Sequence, residues 1–241
     1  MKDRFIKYAL IIFLIIQMIL VGYLNLYFFI NDEFEEYSEI KISGNQLLSE
    51  ENYISFLQLE KYSENKSLNF IKTKLEEHPY ISNANVSLST KNVLEISIEE
   101  KHFYATIIKD FESYFISRYY EFVKIIPYTN NPVLPLIVLD EELNSKTHKD
   151  NKQIFVAFKV IDTLKELNKE LLERLIEINL SDKSYMVLLF KNINAPVIMN
   201  KTNIVKELAS LNELLNLKNN TLLENNTKYI DLRFNNQIII G

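Results

Sequence analysis

Two stretches decide the fold of the first half of the chain: SEIKISGNQLLSEENYISFL at residues 38–57 and SLNFIKTKLEEHPYISNANVSLSTKNVLEISIEEK at residues 67–101. Residues 38–43 alternate in polarity and lead to the turn pair Gly44-Asn45, which predicts a strand. Ser49 then offers a side-chain oxygen to the free amides of a first helical turn that carries two glutamates. The first stretch therefore predicts a strand followed by a helix.

The second stretch predicts a helix and a hairpin. Ser67 caps a helical pattern with an apolar face, and Pro79 ends this helix at His78 because helix is disfavoured before a proline. Apolar residues alternate at 84–88 and again at 94–98, on either side of a turn at 90–92, which is the pattern of a half-buried hairpin. The predicted order is β-α-α-β-β.

Upstream of this region, the chain from Tyr8 to Ile30 contains no charged residue, and roughly 20 apolar residues suffice to span a bilayer. The run is longer than the apolar region of a cleaved signal peptide and lacks small residues at its end. We therefore expect a retained transmembrane helix at residues 8–30 rather than a signal peptide or a buried helix of a globular fold.

The basic residues give this predicted helix a direction. Lys2, Arg4 and Lys7 precede it, whereas acidic residues follow it, and positive residues favour the cytoplasmic side. We expect residues 1–7 to form a short cytoplasmic tail and the bulk of the chain to be extracytoplasmic.

The β-α-α-β-β region, directly after a predicted anchor, resembles the POTRA domain of the cell-division protein FtsQ family, called DivIB in other bacteria. The marks that match are the Gly44-Asn45 turn, the Pro79-x-Ile81 entry to the hairpin, Ala84-x-Val86, and the Glu100-Lys101 pair that closes the last strand. The family has a proline shortly after that pair, whereas His102-Phe103 follow it in this chain.

The second half predicts a mostly antiparallel sheet with helices. Strand-like runs occur at 104–108, 113–126 and 136–139, and residues 152–167 form an amphipathic helical pattern with Phe155 and Phe158 on its apolar face. Further patterns predict a hairpin at 175–190, a short strand at 197–199, a helix capped by Asn200, and an Asn-rich loop from Asn219 to Thr227.

The closing segment, KYIDLRFNNQIIIG, predicts the last strand, with Ile230, Leu232 and Phe234 on one face and Tyr229, Asp231 and Arg233 on the other. A leucine-rich helix followed by Asp-Leu-Arg-aromatic resembles the end of the FtsQ β domain. The family's acidic-x-x-Gly turn is absent, and Tyr119-Tyr120-Glu121 stands in its place. We expect an α+β protein with a POTRA-like domain at residues 31–102 and an FtsQ-type β domain at residues 103–241.

Composition argues against several classes of function. The chain has no cysteine, so disulfides, thiolate metal sites and a cysteine nucleophile are excluded. Three glycines argue against phosphate-binding loops, and a net charge of −5 without a basic stripe argues against nucleic acid. The three histidines belong to no catalytic motif, and we interpret the cluster Glu99, Glu100 and His102 as solvated charges. We expect no cofactor, no metal and no enzyme activity.

The resemblance implies a non-enzymatic scaffold of the divisome, located in the cytoplasmic (inner) membrane at the division septum. Its implied partners are FtsB-like and FtsL-like bitopic proteins, which it would couple to septal peptidoglycan synthesis. The implied mechanism is β-augmentation, in which a partner strand pairs with the last strand. The residues that the resemblance assigns to partner binding are Tyr229, Asp231, Arg233, Phe234, Asn235 and Asn236.

Three alternatives stay open at this point. Asp231 and Arg233 could form only an internal ion pair on an ordinary edge strand. A membrane-anchored cell-envelope enzyme of another type would need a site that no motif indicates. A different POTRA-bearing envelope assembly protein would need a C-terminal barrel of many strands, which roughly 140 residues with two long helical patterns do not supply. The POTRA-like region is expected to be a second docking surface.

Overall fold

The computed structural model describes residues 13–24, 37–59, 67–109, 111–139, 152–217, 227–235 and 237–241. The chain divides into two compact units. One comprises Met1–Asn45 and Ser49–Glu99, and the other comprises Gln46–Leu48 and Glu100–Gly241.

From residue 37 onward, the described part of the first unit is a three-stranded sheet with two helices. Its elements are β1 (Glu39–Ser43), α1 (Glu50–Leu57), α2 (Leu68–Glu76), β2 (Ile81–Leu88) and β3 (Val93–Glu100). The strand order is β1-β3-β2, and β1 pairs with β3 in parallel. The predicted β-α-α-β-β order is confirmed.

Local signals placed both helices of this unit. The Ser49 hydroxyl accepts a hydrogen bond from the Asn52 amide, and the Ser67 hydroxyl accepts one from the Phe70 amide. Gly44 has a φ of +87°, and a Cβ built on it would lie 2.1 Å from the Ile98 carbonyl oxygen. Only glycine fits at this turn for two reasons. Other residues rarely adopt this positive φ, and their Cβ would clash with the backbone of the neighbouring strand.

Carboxylates cover amides at both edges of the small sheet. The Ile42 amide on β1 donates to Glu50 Oε1 at 2.8 Å. The Ala84 amide on β2 donates to Glu76 Oε1 at 3.3 Å. Since β1 and β2 are the outer strands, these two carboxylates already bond backbone amides with which an added strand would pair.

The second unit is a nine-stranded sheet with three helices. Its elements are β4 (Phe103–Lys109), β5 (Glu112–Ser117), β6 (Phe122–Lys124), β7 (Leu136–Val138), α3 (Lys152–Leu167), α4 (Lys169–Glu173), β8 (Leu175–Asn179), β9 (Tyr185–Phe190), β10 (Ile193–Asn200), α5 (Ile204–Leu217), β11 (Ile230–Asp231) and β12 (Ile239–Ile240).

The strand order of this sheet is β12-β11-β10-β9-β8-β7-β4-β5-β6. Pairing is antiparallel except between β4 and β7, β7 and β8, and β10 and β11. The α+β class, the POTRA-type first unit and the mostly antiparallel second unit are therefore as predicted.

One hydrophobic core joins the helices to one face of the large sheet. Alternate residues of the central strands are buried in it, including Met186, Leu188 and Phe190 of β9. Leu164 of α3 and Leu208 and Leu211 of α5 pack into the same cluster. The same core contains Ile230 and Leu232, so it packs α5 against the terminal segment.

Three predictions for this unit need correction. Phe155 is 60% exposed, because the buried stripe of α3 runs through Ile154, Phe158 and Ile161. The short strand at 197–199 is part of the longer β10. Asn200 is the last residue of β10 and not a helix cap, since α5 begins four residues later. The Asn-rich loop lies outside the described residues except for Thr227.

The N-terminal region contributes a helical stretch at residues 13–24, whose side chains are exposed. Within the described ranges, no helix has the length and apolar character needed to cross a membrane. Residues 1–12 and 25–36, which include the predicted tail and both ends of the predicted span, lie outside the described residues.

Candidate partner-binding site

The candidate site lies at the β12 end of the large sheet. β11 pairs in parallel with β10, with Ile198 opposite Asp231. On its other side β11 pairs with β12, with Ile239 opposite Asp231 and Ile240 opposite Ile230. The segment predicted to be the last strand is thus enclosed, and β12 is the edge strand. Sequence alternation missed β12 because it is only two residues long.

The predicted faces hold only in part. Ile230 and Leu232 are buried, as expected, but Asp231 is also buried and Phe234 is 48% exposed. The physical reason is that β11 ends at Asp231, and side chains alternate between faces only within a strand. Phe234 therefore projects from a bend after the strand and does not enter the core.

Asp231 and Arg233 form a close ion pair. Arg233 Nε donates to Asp231 Oδ1 at 2.9 Å, and Arg233 Nη2 donates to Asp231 Oδ2 at 2.6 Å. The backbone amide of Arg233 also donates to Asp231 Oδ1, at 3.0 Å. These hydrogen bonds from Arg233 lower the pKa of the Asp231 carboxyl, and the same contacts raise the pKa of Arg233. The internal ion pair is therefore present, although not on an exposed edge strand.

The guanidinium of Arg233 is held on a second side by an aromatic ring. Its Cζ lies 5.0 Å from the centroid of the Tyr185 ring, within the range of a cation–π contact. Asp231 accepts from Nε and Nη2, and the side chain of Arg233 remains 36% exposed. The arrangement fixes the direction of Arg233 and leaves donor capacity on it.

The other predicted residues surround this pair. Tyr229 is partly exposed and exchanges two backbone hydrogen bonds of 3.2 Å with Gly241. Asn235 is exposed at the bend after Phe234, and Asn236 lies outside the described residues. The structure thus brings Tyr229, Asp231 and Arg233 together with Phe234 at one end of the sheet.

Two residues that the sequence analysis did not assign to partner binding join this site. Glu207 of α5 accepts hydrogen bonds from the Asn200 backbone amide and from Asn200 Nδ2, each at 2.8 Å. Asn200 Nδ2 also donates to the backbone carbonyl of Arg233, at 3.1 Å. The sequence signal was the glutamate in the first turn of a helix, which alone suggests only a favourable helix end.

A cleft of about 310 Å³ separates α5 from the terminal segment. One wall is polar and comes from α5, with Lys206, Ser210 and Glu213. The terminal segment contributes Phe234 and Ile238, beside Leu232, together with polar side chains that include Arg233 and Asn235. The cleft therefore connects the ion pair and the exposed aromatic ring to a groove of mixed polarity.

The backbone of β12 supplies the remaining element of the site. Because Tyr229 and Gly241 exchange both of their hydrogen bonds, antiparallel alternation directs the N–H and C=O of Ile240 away from β11. These groups point to the edge of the sheet. An extended segment of another chain has there the backbone partners that it needs.

Chemically, the arrangement offers a guanidinium, an exposed aromatic ring and outward-facing backbone groups. In the described portion of the chain, no three His, Asp or Glu side chains are grouped to hold a metal ion. The carboxylates of Asp231 and Glu207 accept the hydrogen bonds described above.

Comparisons with known proteins match both units. A family model described as "POTRA domain, FtsQ-type" matches residues 36–101. A second, described as "Cell division protein FtsQ/DivIB, C-terminal", matches residues 106–233, which is more than half of the chain. This match includes Asp231 and Arg233 and ends before Phe234. No curated protein matches the sequence.

Proposed function

Because the chain belongs to the FtsQ/DivIB family of cell-division proteins, we propose that it is a non-enzymatic scaffold of the divisome. The resemblance that the sequence indicated is confirmed by both family matches. In this proposal the protein binds bitopic partners of the FtsB and FtsL types outside the cytoplasmic membrane and couples them to septal peptidoglycan synthesis.

The proposed location follows from the N-terminal sequence. The uncharged run at residues 8–30, with basic residues before it, is the expected single-pass anchor. It would leave a short cytoplasmic tail and hold both folded units on the outer side of the cytoplasmic membrane, enriched at the septum. The first unit is proposed as a further docking surface of this scaffold.

The observation that carries the proposal is the open edge of β12 next to an exposed aromatic ring. Ile240 directs its backbone groups outward, and Phe234 lies beside the cleft with about half of its surface exposed. The sheet edges of the first unit differ, since Glu50 and Glu76 already bond amides there. The β12 edge is therefore the better acceptor of a partner strand by β-augmentation.

Side chains near this edge would select the partner. Phe234 is the aromatic anchor, since exposed aromatic rings in well-packed interfaces contribute a large share of binding free energy. Arg233, pre-oriented by Asp231 and Tyr185, offers donors to a partner carboxylate. Tyr229 and Asn235 frame the strand on either side, and Asn236 is included by its place in the sequence.

The proposal is tested by titrating the full chain, in detergent micelles, with the extracytoplasmic segments of the host's FtsB-like and FtsL-like proteins. Phe234→Ala should weaken binding about thirtyfold, which corresponds to about 2 kcal/mol, as expected for an aromatic anchor. Arg233→Glu should weaken it in the same direction. Phe155→Ala is the matched control, because Phe155 is an exposed ring on α3 that has no place in the site.

Binding by the wild type that survives Phe155→Ala but is lost in folded Phe234→Ala supports the proposal. Absence of binding by the folded wild type contradicts it. Equal effects of the two alanine substitutions would remove Phe234 from the proposed interface.

A further inference from the structure

Glu207 is a buried carboxylate whose contacts the proposed function has not yet used. It is 6% exposed and lies in the first turn of α5. Its two oxygens accept from the backbone and side-chain N–H groups of Asn200 at 2.8 Å each. A carboxylate only accepts, so both donors are satisfied without a proton of its own.

This contact continues to the terminal segment. With one amide hydrogen directed to Glu207, the second hydrogen of Asn200 Nδ2 is directed to the Arg233 carbonyl, 3.1 Å away. The Leu232 amide, one residue earlier, donates to the Ile198 carbonyl at 2.9 Å. These bonds attach the chain after β11 to β10 just before Phe234.

We infer that Glu207, acting through Asn200, is a positioning residue of the proposed partner-binding site. It holds the amide of Asn200 in the one orientation that donates to Arg233, and so sets the direction in which Phe234 leaves the sheet. The inference rests on the proposed function, because it concerns the same binding site.

A purely structural role would not require this chemistry. Joining a helix to a strand is usually achieved by apolar packing, and burying a carboxylate costs free energy unless donors compensate it. A glutamine of the same shape would place its own NH2 against the Asn200 NH2, or turn and lose the backbone amide. Glu207→Gln therefore keeps the volume of the side chain and breaks the orientation of Asn200.

The test uses the full chain in detergent with two readouts. The first is affinity for the FtsB-like segment. The second is hydrogen exchange of the Leu232 amide, with the Leu188 amide in the centre of β9 as an internal reference. Glu166→Gln is the matched control, since Glu166 is an exposed carboxylate on α3 and does not line the cleft.

Glu207→Gln should weaken binding about tenfold and speed Leu232 exchange by a similar factor, because a hydrogen bond to a charged group is lost. Glu166→Gln should change neither readout by more than about twofold. A double variant, Asn200→Asp with Glu207→Gln, restores a bond between the two side chains but leaves no donor for Arg233. It should recover thermal stability while Leu232 exchange stays fast and binding stays weak.

Unchanged Leu232 exchange in Glu207→Gln would overturn the inference. Equal acceleration at Leu232 and Leu188 would also overturn it, because Glu207 would then support the whole unit. Recovery of both affinity and slow exchange in the double variant would contradict the link to Arg233. If the wild type does not bind the segment at all, the proposed function fails, and the exchange readout alone decides whether Glu207 orders the terminal segment.

Discussion

Arg233 has one observed role, the ion pair with Asp231, and one proposed role in partner binding. Its bonds to Asp231 form an internal ion pair, yet they use only part of the guanidinium. Fixing a long side chain in one geometry before binding lowers the entropy that binding must otherwise cost. We therefore regard the ion pair as pre-organisation of a contact residue, and not as evidence against its role in binding.

Asp231→Asn tests the ion pair. The pKa of Asp231 is lowered in the folded chain, so its stabilising contribution is fully present above the ordinary carboxyl pKa and is lost as pH falls through the lowered value. Since Arg233 is partly exposed, we expect a loss of about 1–2 kcal/mol at pH 7. Urea denaturation at pH 7 and in more acidic buffer measures it.

The difference between Asp231→Asn and the wild type should shrink in acid, where the native carboxyl is protonated. Glu213→Gln, an exposed carboxylate of the same unit, should show no such difference at either pH. A difference that stays constant with pH would contradict the assignment to ionised Asp231.

Adjacent residues were the part of the site that sequence could predict. Asp231 and Arg233 are two positions apart, so their pairing follows from local geometry. Glu207 contacts Asn200 and, through it, Arg233, which is far away in sequence. Sequence reasoning instead assigned Asn200 to a helix cap, because a single Asn before a helix has the same pattern in both roles. The two roles of Asn200, helix cap and strand residue, are distinguished only by the parallel pairing of β10 with β11.

At the scale of elements, strands end where tertiary pairing ends. The caps of α1 and α2 were predicted correctly, since Ser49 and Ser67 act on amides three residues away. The limits of β11 and the existence of β12 were not, because the pairing of β11 with β10 and with β12 decides them. The β5–β6 turn shows the same limit: Tyr120 takes a φ of +62° where the family has glycine.

The edge strand β1 of the first unit depends on a carboxylate from α1. Glu50→Ala leaves the amide of buried Ile42 without its acceptor, so we expect a loss of about 1–3 kcal/mol in the free energy of unfolding. Chemical denaturation followed by circular dichroism gives this value.

Glu51→Ala is the matched control for this prediction. Glu51 lies in the same first helical turn but is exposed, so both substitutions remove an equal charge from the helix N-terminus. Equal losses for the two variants would mean that the helix end, and not the Ile42 amide, accounts for the effect.

At the scale of the whole molecule, the proposed function depends on the proposed placement of both units outside the cytoplasmic membrane. The chain has no cysteine, so single introduced cysteines report position without interference. Ser87→Cys, on an exposed position of β2, should react with a membrane-impermeant maleimide in cells whose wall has been removed. Asp3→Cys in the predicted tail should react only after the membrane is permeabilised, and the reverse pattern would contradict the proposed orientation.

The central claim is that a partner strand adds to the β12 edge, and the Ile240 amide tests it most directly. That N–H points away from β11, so Ile240→Pro removes a donor that the fold does not use, and proline is tolerated on edge strands in this orientation. Ile240→Val keeps the donor and serves as control. The measurement is the affinity of each full-chain variant for the FtsB-like segment. The account predicts wild-type affinity for Ile240→Val and at least about a tenfold loss for a folded Ile240→Pro; equal affinity for both would contradict strand addition at this edge.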